Sequence, residues 1–123
     1  MDKVNLAQKF SLFTEAYKPK IVGELNDSYV KLVKFHGDFM WHHHDNEDEL
    51  FLVLKGTLRI KVREDGRERE LVIHPGEFII IPRGVEHFPA TDEEAHVMLL
   101  EPKTTLNTGN VQSERTVAEL ERI

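Results

Sequence analysis

The sequence predicts an all-β sandwich or barrel, and three observations carry that expectation. Short runs rich in β-branched and aromatic residues recur from residue 20 onward, with Gly, Pro, Asn or Asp between them. Two of these runs, Leu50–Leu54 and Phe78–Ile81, are apolar at every position, so both of their faces need cover. At 123 residues the chain is long enough for one real core, and a single domain is the simplest reading.

The elements follow in order. Residues 1–19 read as an N-terminal arm, with a short helix within residues 5–17 because Leu6, Phe10 and Phe13 recur at near-helical spacing. Residues 20–103 read as the β-barrel. Lys20–Leu25 and Tyr29–Phe35 form two strands joined at the turn pair Asn26-Asp27, and further strands are expected at 49–55, 57–63, 69–74, 77–81 and 95–101. Asp65-Gly66 supplies the positive φ of a tight hairpin, while Pro75-Gly76 and Pro82-Arg83-Gly84 mark two more turns. Residues 104–123 read as a weakly held tail with a short C-terminal helix, since Thr116 and Glu119 have capping-box spacing.

Composition narrows the classes of function. The net charge is −6, so nothing favours nucleic acid, and Arg59, Lys61 and Arg63 read as one solvated strand face. Cysteine is absent, which excludes disulfides, thiolate nucleophiles and Cys-based zinc sites. No apolar run approaches the roughly 20 residues of a membrane-spanning helix, and residues 1–5 lack a signal-peptide core, so the expected location is the cytoplasm. Cover for the doubly apolar strands would come from the arm or from a second copy of the chain, and a homodimer is the expectation.

Four residues carry the chemistry. His42 and His44 are two apart, so on a strand they face the same way while His43 faces the other. Glu49 opens the next strand after an acidic loop, and His87 arrives from a separate hairpin. Three imidazoles and a carboxylate suit one divalent transition metal ion such as Fe, Mn, Ni, Zn or Cu. His36, His74 and His96 lack such spacing and read as surface groups or, at most, as supports behind the ligands.

Gly37, His42, His44, Glu49 and Gly56 resemble the first cupin motif, in which a glycine precedes His-x-His, four residues, Glu, six residues and Gly. Gly76, Pro82, Gly84 and His87 resemble the second, Gly, five residues, Pro-x-Gly, two residues, His. The likeness covers roughly residues 28–101. Gly37 stands four residues before His42, where the family usually has five, and Thr91 stands where it often has Asn. Five intervening residues after Gly37 would select His43 with Asp45, whereas the gaps from His44 to Glu49 and from Glu49 to Gly56 select His42 and His44.

The resemblance implies a small single-domain cupin, a double-stranded β-helix (jelly-roll) barrel of the cupin-2 conserved type. It implies a metal site at His42, His44, Glu49 and His87 with two positions left for water, dioxygen or a bidentate small molecule. A dioxygenase-type enzyme acting on a small oxygenated metabolite is the leading expectation. A mannose-6-phosphate isomerase-like enzyme and a non-catalytic sugar- or metabolite-binding cupin are the alternatives. Inward parity at Glu49 places Phe51 and Val53 inside and sets Phe39 and Trp41 opposite His42 and His44. Phe88, Met98 or Tyr29 are the candidate pocket walls, and Arg83 the candidate contact for an anionic group. On the last strand, either His96, Met98 and Leu100 or Val97 and Leu99 point inward.

Overall fold

A computed structural model describes residues 1–123, and it is an all-β jelly-roll barrel. Seven strands form it: β1 Lys20–Leu25, β2 Ser28–Asp38, β3 Glu49–Lys55, β4 Leu58–Glu64, β5 Arg67–Ile73, β6 Phe78–Ile81 and β7 Glu86–Pro102. Every pairing is antiparallel, and the main path runs β1-β2-β7-β3-β6, with β4 joining β5 to β7. The long strand β7 curls the sheet on itself. Its first part, Glu86–Ala90, pairs with β4, and its second, His96–Leu100, lies between β2 and β3. The sequence pattern missed the first part of β7 because the exposed acidic run Asp92-Glu93-Glu94 interrupts the apolar signal at the bend.

Alternation sets the interior. Glu49, Phe51 and Val53 point inward from β3, Leu58, Ile60 and Val62 from β4, and Ala95, Val97 and Leu99 from β7. Val97 and Leu99 are therefore the inward set, and Met98 lies outside. Each fully buried aliphatic side chain contributes about 1.5–3 kcal/mol of transfer free energy. The Asp65-Gly66 hairpin forms as expected, with both residues at positive φ. Gly56 is required by close approach as well as by φ, since a Cβ there would stand 2.8 Å from the Glu94 carbonyl oxygen.

The arm gives one of the two expected covers. Its short helix, α1, lies within the expected stretch at Leu6–Phe10, capped by the Asn5 side chain accepting from the Gln8 amide at 3.0 Å. Beyond it the chain extends so that Phe10 and Phe13 can reach Leu32 on the outer face of β2, with Leu54 and Met98 packed alongside. The buried Lys34 side chain donates to the Phe13 carbonyl at 2.6 Å and fastens the arm. Farther along the outer face, Phe78 and Ile80 of β6 remain 55% and 52% exposed.

The expected C-terminal helix is absent. The Thr116 hydroxyl is engaged by Thr108 at 2.6 Å and accepts from the Ser113 amide, and the Val117 amide donates to the Asn107 side chain at 2.8 Å. Arg122 then forms a parallel bridge with Ile21, fixed by hydrogen bonds from Ile21 to Glu121 and from Ile123 to Ile21. Tertiary hydrogen bonding outweighs a local capping signal, and the tail is a tied strap where the sequence led us to expect a loose helix.

Candidate metal centre

His42, His44, Glu49 and His87 converge inside the barrel, all four buried, with one candidate donor atom from each lying within 4.8 Å of every other. Donors sharing one ion at about 2.0–2.2 Å lie roughly 3–4 Å apart, so the group is close to the size of a coordination sphere. The backbone sets this spacing. His42 and His87 are cross-strand partners, each amide donating to the other's carbonyl at 3.1 and 2.9 Å. The Gly84 amide donates to the His44 carbonyl at 2.7 Å, and the Arg83 amide to the Asp48 carboxylate at 2.9 Å, so the second turn is sewn to the first histidine loop.

Hydrogen bonding fixes two of the rings. His42 Nδ1 lies 3.0 Å from the Met40 carbonyl and His87 Nδ1 lies 2.9 Å from the Val85 carbonyl. A carbonyl only accepts, so Nδ1 carries the proton in both rings and Nε2 keeps its lone pair for the interior. That is the tautomer a metal-ligating imidazole uses. His44 Nε2 and His87 Nε2 stand 3.4 and 3.3 Å from Glu49 Oε1, and these three atoms lack hydrogen-bond partners despite full burial. Buried polar atoms are nearly always satisfied, so three orphans at one point fit a divalent ion that they would jointly bind.

The electrostatics agree with that donor set. Burial, reinforced by the neighbouring His87, pushes His42 down to about 4, so the ring is neutral and able to donate its lone pair. Burial opposes the charge on Glu49, yet contacts with Glu101, His44 and His87 outweigh it and hold this carboxyl well below the ordinary range. Glu101 moves the other way: burial first, then the charge of Glu49, hold it well above the ordinary range against the pull of Lys31. Of the two touching carboxyl groups, Glu49 carries the negative charge.

A small cavity of about 30 Å³ adjoins the group, roughly room for two water molecules. Phe35, Phe39, Phe51, Pro89 and Leu99 give it apolar walls, Tyr17 and Pro19 come from the arm, and Asn107 comes from the tail. The Tyr17 ring is stacked between Phe35 and Phe39, 4.7 Å from each centroid, and its hydroxyl donates to the Gly37 carbonyl.

Several sequence expectations are corrected here. Phe39 is a pocket wall, edge-on to His42 at 5.4 Å, because residues 39–48 lack regular strand parity. Trp41 does face away, under the Arg63 guanidinium. Phe88 packs on Trp41, Met98 belongs to the outer cluster and Tyr29 neighbours Lys103 and Arg122, so none of these three lines the pocket. The Arg83 residue is exposed at its turn. His43 pairs with Asp45 at 2.9 Å and lies outside the buried group, which takes His42 and His44. His96 stacks on Phe10 and contacts Glu94, in keeping with the surface role expected of it.

The sequence reading missed Tyr17, Lys31, Glu101, Asn107 and Gly109. Parity could have found two of these: Lys31 shares the inward register of Val33 and Phe35, and Glu101 that of Val97 and Leu99. Gly109 allows the tail to press on the histidine loop, since a Cβ there would stand 2.2 Å from the His43 carbonyl oxygen.

Fold and site together define a β-barrel that gathers a His-His-Glu-His group suited to a metal ion. The cupin domain model matches residues 30–102, and the chain belongs to the cupin family. A cupin-2 domain containing protein from Shewanella frigidimarina is 42% identical over 81% of this chain and 94% of its own, with a TM-score of 0.76. Acireductone dioxygenase of Bacillus subtilis is 28% identical over 83 residues, 67% of this chain and 47% of that protein. The 3-hydroxyanthranilate 3,4-dioxygenase of Bos taurus is 38% identical over 48 residues, 39% of this chain and 17% of that protein. The chain spans little more than half the length, or less, of the curated relatives it matches. No helix is long and apolar enough to cross a membrane.

Proposed function

We propose that His42, His44, Glu49 and His87 hold one divalent transition metal ion, and that the protein is a dioxygenase-type enzyme acting on a small oxygenated metabolite. The observation that carries this reading is the set of buried, mutually close donor atoms without protein partners. The two dioxygenase relatives support the choice of oxygen chemistry.

A redox-active ion in such a site supplies dioxygen activation and an anchor for a bidentate oxygen ligand. The chain's own contribution is orientation and exclusion of water. His42 and His87 are aimed by the Met40 and Val85 carbonyls, and Glu49 is held charged among them. Phe35, Phe39, Phe51 and Leu99 close the space beside them, so little water competes for the open positions.

The walls also bear on the substrate. None of the eleven residues lining the cavity is Lys or Arg, and two are glutamates. Lys31, whose side chain lies nearby, is committed to Glu101 at 2.6 Å. An anionic sugar phosphate would meet no cation there, so an uncharged diketone, enediol or catechol fits better than an isomerase substrate.

Two measurements test the proposal. Elemental analysis of the purified protein is expected to give close to one Fe, Mn, Ni or Cu per chain. Oxygen uptake with a panel of neutral diketones and catechols is then expected to depend on that metal. Bound metal with no uptake across the panel, but with thermal stabilisation by a sugar or metabolite, would establish the non-catalytic binder instead.

A further inference from the structure

We propose that Lys31 and Glu101 are positioning residues: a buried hydrogen-bonded pair behind Glu49 that fixes how this carboxylate is presented to the three histidines. The inference rests on the metal-binding reading above and deepens it.

The geometry is unusual for a small barrel. Lys31 Nζ lies 2.6 Å from Glu101 Oε1, and both side chains are 1% exposed. They sit on neighbouring strands, Lys31 on β2 and Glu101 on β7, in the inward register that otherwise carries Val33, Phe35, Val97 and Leu99. Apolar residues of similar volume would fill those positions without the cost of dehydrating two polar groups, and such replacements are often neutral or stabilising. A filler role therefore explains the site poorly.

Position explains it better. Glu101 stands beside Glu49, since Leu50 pairs with Leu100 across β3 and β7 and both glutamates line the same cavity, and its Oε2 is buried without a hydrogen-bond partner. Glu49 is thus held from two directions, by Glu101 behind and by the His44 and His87 imidazoles in front at 3.4 and 3.3 Å. A glutamate has three side-chain torsions, and a ligand that must meet three imidazoles gains from having its far side gripped. Partners of this kind typically change metal affinity by about 10–100-fold when removed. Lys31 contributes by holding Glu101 in place through the 2.6 Å hydrogen bond.

The test compares two neutral replacements of the pair. Lys31→Met/Glu101→Gln keeps a hydrogen-bond donor facing Glu49, whereas Lys31→Met/Glu101→Leu removes it. Mn(II) affinity is measured by competition with a chelator, and the visible spectrum is recorded after loading with Co(II). The Leu variant is expected to bind Mn(II) about 10–100-fold more weakly and to show a changed Co(II) spectrum. The Gln variant is expected to stay close to wild type in both. Lys31→Met/Glu101→Met serves as a second apolar variant, so that misfolding of one leaves the comparison intact. Wild-type affinity and spectrum in a folded apolar variant would overturn the positioning role while leaving the metal site standing. If the wild-type protein binds neither Mn(II) nor Co(II), the metal reading fails and this inference with it.

Discussion

The two faces of β3 show two different kinds of incompleteness. Inward, Glu49 stands with three histidines in a place where polar atoms lack partners. Outward, Leu50, Leu52 and Leu54 belong to an apolar surface that the arm only partly covers, leaving Phe78 and Ile80 exposed on the neighbouring strand. The same backbone thus presents unpartnered polar atoms inside and exposed apolar side chains outside. An ion would satisfy the first, and more apolar surface would cover the second. The two faces should therefore respond to different perturbations.

The largest effect is expected on the inner face. His42→Ala or His87→Ala should weaken metal binding by more than the roughly 100-fold upper range for loss of a supporting residue, with the barrel still folded by circular dichroism. Wild-type metal content in either purified variant would reject these residues as ligands. On the outer face, Phe10→Ala should cost about 3–5 kcal/mol in denaturant unfolding, because Phe10 is 4% exposed and anchors the arm. Metal content per folded chain should not change. A joint loss of stability and of metal would show that the faces are coupled.

How much of this was legible beforehand differs between the faces. The ligands could be read because their chemistry is discrete and their spacing follows strand parity and turn punctuation. His42, His44, Glu49 and His87 needed no knowledge of packing. The walls were not legible, since Phe39 lies on an irregular stretch and Tyr17 and Asn107 come from the arm and the tail. The C-terminal helix failed for a related reason: Thr116 and Glu119 have the right local spacing, but the Asn107 and Thr108 side chains draw residues 116 and 117 into tertiary hydrogen bonds. Lys31 and Glu101 escaped because a charged residue on a strand ordinarily faces water, although their parity with Val33 and Leu99 places them inside.

Two smaller effects sharpen the comparison. Stripping the metal with a chelator should lower the melting temperature. A free ion at a hundred times its Kd stabilises the fold by about 2.7 kcal/mol, and Phe78→Glu should leave that difference intact. We propose that a second copy of the chain covers Phe78 and Ile80, so Phe78→Glu should also convert a homodimer to a monomer by light scattering. A wild-type monomer at micromolar concentration would remove that proposal.

The smallest effect lies at the strap. Glu24 accepts from Lys103 at 2.9 Å and pairs with Arg122 at 2.9 Å, and these contacts hold its carboxyl below the ordinary range. A lowered folded value means that its contribution is present above the ordinary carboxylate range and fades as pH falls through the lowered one. NMR titration should find the Glu24 midpoint below that of a free glutamate, and Glu24→Gln should slightly flatten the acid limb of the stability curve.

The backbone pairing of His42 with His87 has a consequence for the order in which the protein matures. An unfolded chain offers an ion only the local pair His42 and His44, and Glu49 reaches them only after the intervening loop closes. His87 joins only once long-range strand pairing has formed, the slow part of building such a topology. The full site is a product of folding and not its template. Added metal should therefore leave the refolding rate nearly unchanged and slow unfolding, since it stabilises contacts that assemble after the main barrier.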